Sequence, residues 1–197
     1  MFDSPLRITP LGPSRDEARL DDFLWRGERA DFAVWLDRGG DKLVVRSRTR
    51  RGPDGVLSRL RVRSIVEDDA PRELDRTTFE LHPNRFVERV SASVDAPARS
   101  IELPATLARG AAITPEGEAS QTITLLYVGP VKLEVAGVEA ERTAALLRLG
   151  GASGWDQWMV EGVGEVSLGP AGQLPHRWLV AWRAGDHSDL LFAAPRG

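Results

Sequence analysis

The side chains with the clearest chemical potential are arginines at alternate positions, Arg46, Arg48 and Arg50, followed by Arg59, Arg61 and Arg63. A guanidinium is permanently charged and presents a planar fork of donors that fits carboxylates and phosphates. In a β-strand, alternate residues share a face. Two neighbouring strands carrying these residues would therefore make a basic surface, with Trp35 able to stack on a base. Such a surface could bind nucleic acid or another polyanion, with affinity falling steeply as salt rises. The same residues could equally form a solvated outer face held by cross-strand ion pairs. The formal net charge of −3 and the lack of a nucleic-acid-binding motif count against the polyanion reading.

A second group is aromatic. Four of the six tryptophans, Trp155, Trp158, Trp178 and Trp182, fall in the C-terminal third of the chain. They could line a groove for an apolar or amphipathic ligand, or fill a core. Other chemistry is thin. His82 precedes a proline, His176 opens an apparent strand, and His187 lies between Asp186 and Asp189 in a Gly-Asp-His-Ser turn. One such turn supplies too few convergent ligands for a metal, so no metal site is expected. There is no cysteine, which excludes disulfides and thiolate chemistry. No Gly-x-Ser-x-Gly elbow, His-Glu-x-x-His pair or phosphate-loop lysine occurs, and no catalytic residue or cofactor is expected. The chain reads as a binding protein and not an enzyme.

The elements that must carry these residues are strands. Asp31–Asp37, Lys42–Arg50 and Val56–Val66 alternate apolar with polar residues, separated by Arg-Gly-Gly-Asp and Arg-Gly-Pro-Asp-Gly turns. Closing the hairpins with Asp37 opposite Lys42 and Arg51 opposite Val56 puts Phe32, Val34, Leu36, Leu43, Val45, Ser47, Leu60 and Val62 on one face. All six arginines and Trp35 then lie on the other. That register sets Arg46 against Arg61 and Arg48 against Arg59, a repulsion that Asp31, opposite Arg48, relieves in part. The choice of concave face decides whether the arginines meet a pocket or open water.

Around this meander, Ser14 and Glu17 suggest a capping box opening a short amphipathic helix over about 15–26, with Leu20, Phe23 and Leu24 on its apolar side. Residues 67–75 read as an acidic connection, and 77–94 as a hairpin turning at His82-Pro83-Asn84. Pro104 suits an edge or a strand end. Gln121–Val128 and Val131–Val138 read as strands turned by Gly129-Pro130. Residues 138–150 suit a helix or a strand, and their place between strands favours strand. Trp155–Gly162, Val163–Gly169, His176–Ala184 and 189–194 complete about ten strands. The expected fold is mainly β: a single curved antiparallel sheet, half-barrel or open barrel, with one or two short helices. The 197 residues suit one domain, with 95–120 the place for any subdivision.

Residues 101–168 combine a proline-containing approach, IELPATLARGAAITPEGE, a strand pair, and Trp158-Met-Val-Glu-Gly162-Val163-Gly164-Glu-Val166. This arrangement resembles DUF3108-like and related bacterial proteins with a LolA-like half-barrel. The resemblance implies a curved sheet with helix or loop material across its concave face, and relatives of that shape include carriers of lipidic cargo. Three partners are therefore expected as alternatives: a lipidic or other apolar ligand, nucleic acid, or a second copy of the chain pairing through an exposed sheet edge. No stretch is long and uncharged enough for a transmembrane segment, and the N-terminus lacks a basic region followed by an apolar run. A cytoplasmic location is expected.

Overall fold

Strand-forming alternation governs most of the described residues. The computed structural model describes residues 6–19, 22–23, 29–67, 70–82, 85–91, 99–114, 122–135 and 138–184. The strands are β1 (Leu6–Pro10), β2 (Glu17–Arg19), β3 (Arg29–Asp37), β4 (Lys42–Arg51), β5 (Leu57–Glu67), β6 (Ala70–Leu81), β7 (Arg85–Ser91) and β8 (Arg99–Pro104). They continue with β9 (Thr106–Ala108), β10 (Ala112–Ile113), β11 (Ile123–Val135), β12 (Val138–Leu149), β13 (Trp155–Val160), β14 (Gly164–Pro170) and β15 (Arg177–Ala184).

Among the described residues thirteen strands form one antiparallel sheet in the order β1-β11-β12-β13-β14-β15-β3-β4-β5-β6-β7-β8, with β10 also on β11; β2 and β9 pair separately. Two meanders, β11–β15 and β3–β8, are joined where β15 pairs β3. Trp178, Leu179 and Trp182 thus sit in the middle of the sheet. The sheet is strongly curved and does not close into a barrel. Pro104 ends β8, an edge strand, where its missing N–H costs no ladder bond.

The register of the first meander differs by one residue from the expected one, and the turns explain why. Asp37 N–H donates to Asp41 O (3.2 Å), Gly40 N–H to Asp37 O (3.1 Å), and Gly40 has φ 90°. In the next hairpin Gly52 N–H donates to Val56 O (2.8 Å), Gly55 N–H to Gly52 O (3.0 Å), and Gly55 has φ 80°. Both are three-residue loops in which a turn is followed by a left-handed glycine, a geometry glycine adopts without a Cβ penalty. Each loop is one residue shorter than the expected four. Leu36 therefore faces Lys42, Trp35 faces Leu43, Arg46 faces Val62, Ser47 faces Arg61 and Thr49 faces Arg59. No arginine of this set stands opposite another, which removes the repulsion of the expected register.

Three further expectations are corrected. Glu17–Arg19 forms β2 on β9, where a helix was expected. The Ser14 hydroxyl accepts from Val128 N–H (2.9 Å), so it serves β11 instead of capping a helix. Asp22 and Phe23 have helical backbone, Phe23 is fully buried, and the rest of that expected helix lies outside the described residues. The expected acidic connection is mostly β6. Gly129-Pro130 does not turn the chain but lies within β11. Pro130 O accepts from Leu11 N–H (3.0 Å), so the side of Pro130 that lacks a donor faces the point where β1 has ended. A Cβ on Gly129 would stand 2.8 Å from the Tyr127 hydroxyl, so a larger residue there would have to displace the Tyr127 ring. Residues 138–149 are strand, and the expected strand at 189–194 lies outside the described residues.

Among the described residues the apolar side chains form two large cores and one small one. Phe23, Phe79, Leu103, Leu125, Leu147 and Met159 join β6 and β8 to β11–β13 across the concave face. Leu6, Val131, Leu133, Val160, Trp35 and Trp178 join β1 and β11 to the centre of the sheet. Phe32, Val34 and Val44 make the third core, facing away from the residues they alternate with. Burying side chains of this size contributes about 1.5–3 kcal/mol each.

Candidate functional site: an arginine-walled cavity

The concave face encloses a cavity of about 710 Å³. Its volume is in the range of small-molecule sites, roughly 300–1,000 Å³. The corrected register decides what lines it. Asp31, Ala33 and Trp35 of β3, Leu43, Val45 and Ser47 of β4, and Arg59, Arg61 and Arg63 of β5 all point inward. Phe79, Leu103, Ile123, Leu147, Met159, Leu179 and Trp182 supply the apolar wall, with Trp155 and His176 in ring contact at 6.0 Å. Trp155 is 42% exposed.

Each of the three β5 arginines faces a carboxylate, by a different geometry. Arg59 reaches Asp31 at 3.2 Å across the intervening β4, and both side chains are at least nine-tenths buried. Arg63 stands directly opposite Asp75 on β6 and donates to it through Nε at 2.8 Å. Arg61 is 3.9 Å from Glu165 of β14 and lies over the Phe79 ring, 4.7 Å from its centroid. In the sheet order β5 and β14 are separated by β4, β3 and β15. On a flat sheet that is about 19 Å. The contact therefore crosses the cavity and measures how tightly the sheet is curved. Glu165 is held in place by the tight turn over residues 161–163, in which Val163 N–H donates to Val160 O (3.0 Å) and Gly162 has φ 74°.

Beside Trp155, Asp156 accepts from Arg148 Nε (2.8 Å) and from Gly172 N–H (2.9 Å). Burial pushes the Asp156 carboxyl up, but the Arg148 and Gly172 hydrogen bonds outweigh it and hold the group below its usual range. This pair ties β12 and β13 to the loop before β15.

The residues singled out in the sequence are divided by the fold. Trp155 and Trp182 line the cavity together with Trp35. Trp178 is buried in the second core, and Trp158 packs on the same core and against Tyr127, with ring centroids 5.9 Å apart. The six arginines do not share a face. Arg59, Arg61 and Arg63 point into the cavity, whereas Arg46, Arg48 and Arg50 are exposed on the opposite side. Asp31, expected opposite Arg48, is opposite Ser47. Glu165, Phe79 and Met159 were not singled out from the sequence. Phe79 shares its face of β6 with Thr77 and Leu81, a pattern that marks an inward face but not a site. His82 is 3.3 Å from Glu80, and His187 lies outside the described residues.

Among the described residues no group of three or more His, Asp or Glu side chains could hold a metal, and no helix is long and apolar enough to cross a membrane. Comparison of the chain with protein-family models, with curated proteins and with solved structures found no match.

Proposed function

We propose that the chain is a non-catalytic binding protein whose concave face holds an apolar or amphipathic small molecule. One observation carries this reading: the sheet curls around a cavity of about 710 Å³ whose wall is mostly aliphatic and aromatic, with a few convergent polar groups. The likeness of residues 101–168 to LolA-like half-barrels, which include lipid carriers, agrees with such a role. Native mass spectrometry of freshly purified protein tests it. A retained mass of lipid size, lost when bulky side chains are introduced at Ala33 and Leu147, is the expected result. A clean apo mass, together with no uptake of any amphiphile offered, would overturn it.

A second reading keeps the exposed Arg46, Arg48 and Arg50 as a polyanion contact. Their exposure favours it. It requires binding to single-stranded nucleic acid that falls steeply with salt and is abolished by charge reversal at Arg48.

A further inference from the structure

The cavity holds an unusual pairing of surfaces. Among the described residues, four arginines, Arg59, Arg61, Arg63 and Arg177, share its lining with two carboxylates, Asp31 and Glu165. Cations in a largely apolar enclosure are costly unless anionic groups answer them. Arg59 and Arg63 are answered from their own wall, by carboxylates one or two strands away. Arg61, the middle of the row, also meets a carboxylate from across the cavity. Its contact with Glu165, at 3.9 Å, is too long for a hydrogen bond and passes through the space a ligand would enter. Apolar surface lies to either side, with Phe79, Leu147 and Met159 on one hand and Trp35, Leu179 and Trp182 on the other.

Resting on the binding role above, we propose that the ligand is an amphiphile with a single oxygen-acid group, carboxylate or phosphate, and that this group docks on Arg61 in place of the Glu165 carboxylate. A guanidinium fork donates to either acid in bidentate fashion, which the 3.9 Å contact with Glu165 does not achieve. The apolar tail then runs along the aliphatic and aromatic wall. Glu165 acts as a selectivity residue: it holds the cation in register when the cavity has no acid in it, and repels the acid as it enters. Neutral amphiphiles gain the tail contacts alone.

The test is a titration of decanoate, decyl phosphate and decanol, read by tryptophan fluorescence, since Trp35, Trp155 and Trp182 line the cavity. Arg61→Met and Glu165→Gln are compared with the parent chain, and inorganic phosphate is added as a competitor. The parent is expected to bind at least one of the two acids about tenfold or more tightly than the alcohol, the scale of one charged hydrogen bond. Arg61→Met should erase that preference while leaving decanol within about twofold. Glu165→Gln should tighten the acids severalfold and leave decanol unchanged, a readout that does not depend on Arg61→Met folding well. The tighter of the two acids then assigns a fatty-acid or a phospholipid source. Equal binding of acid and alcohol by the parent, a preference that survives Arg61→Met, weaker acid binding in Glu165→Gln, or displacement by inorganic phosphate at matched concentration would each overturn the headgroup assignment. Failure of all three amphiphiles to bind would instead overturn the binding role itself.

Discussion

Two rows of three arginines lie on adjacent strands of the same sheet and live in opposite environments. Arg46, Arg48 and Arg50 on β4 are exposed on the convex side, and among the described residues none of them meets a carboxylate within ion-pair distance. Arg59, Arg61 and Arg63 on β5 point into the cavity, and each meets one: Asp31, Glu165 or Asp75. The two rows have the same residue type and the same spacing of two. The three-residue turn between β4 and β5, with its left-handed Gly55, separates them, because it shifts the register by one and a one-residue shift exchanges faces. A basic cluster in a β meander thus has no meaning for function until the turns that set its register are known.

The contrast can be sharpened by substitution, and the largest effect should come from the inner row. Asp31→Ala removes the carboxylate from a guanidinium that is about nine-tenths buried. It should cost about 3 kcal/mol or more, read as a lower urea midpoint at unchanged slope. A loss below about 1 kcal/mol would mean that Arg59 swings out to water, and that the inner row is not truly enclosed. A smaller effect is expected at the turn. Nothing lies within 4 Å of a Cβ built on Gly55, so Gly55→Ala meets only the backbone cost of a left-handed conformation. That cost is about 1 kcal/mol. A neutral result would argue for a different loop, and with it a different register. The smallest effect belongs to the outer row. Arg48→Glu should change stability by no more than about 0.5 kcal/mol and leave decanoate binding untouched. A marked loss of stability would show that the convex side is covered at Arg48.

Much of the architecture was legible in the sequence. The alternation in Lys42–Arg50 and His176–Ala184, and the glycine-rich turns between runs, sufficed for a mainly β, single curved sheet. Register was not legible, for a reason visible in β3 and β4. Phe32 and Val34 are fully buried on one face, while Trp35 on the other is 5% exposed. Val44 and Val45 likewise point opposite ways, one into the small convex core and one into the cavity. A strand covered on both sides is apolar on both sides, so either register looks clean on paper. The turn itself carried the missing information. Pro53, Asp54 and Gly55 suit the second, third and fourth places of a turn whose last residue is left-handed, and that fixes a loop of three.

The site was less legible than the fold. Glu165 reaches Arg61 only because four steps of strand neighbours curl through space, and no local pattern reports that distance. The helix expected over 15–26 was misread because Ser14 and Glu17 carry capping-box chemistry. In the folded chain the Ser14 hydroxyl instead meets the backbone of β11 at Val128, 114 residues away. Gly129-Pro130 was misread as a turn because the pair usually is one, yet here the chain keeps straight where β1 ends.

The division of the arginines between two faces is tested most directly by single-cysteine labelling, which suits a chain without native cysteine. Arg48→Cys and Arg61→Cys are treated with a bulky maleimide, and each native rate is divided by its rate in urea. The account predicts a ratio near one for Arg48→Cys. It predicts a ratio at least tenfold lower for Arg61→Cys. Similar ratios at the two positions would contradict it, because both arginines would then share one open face.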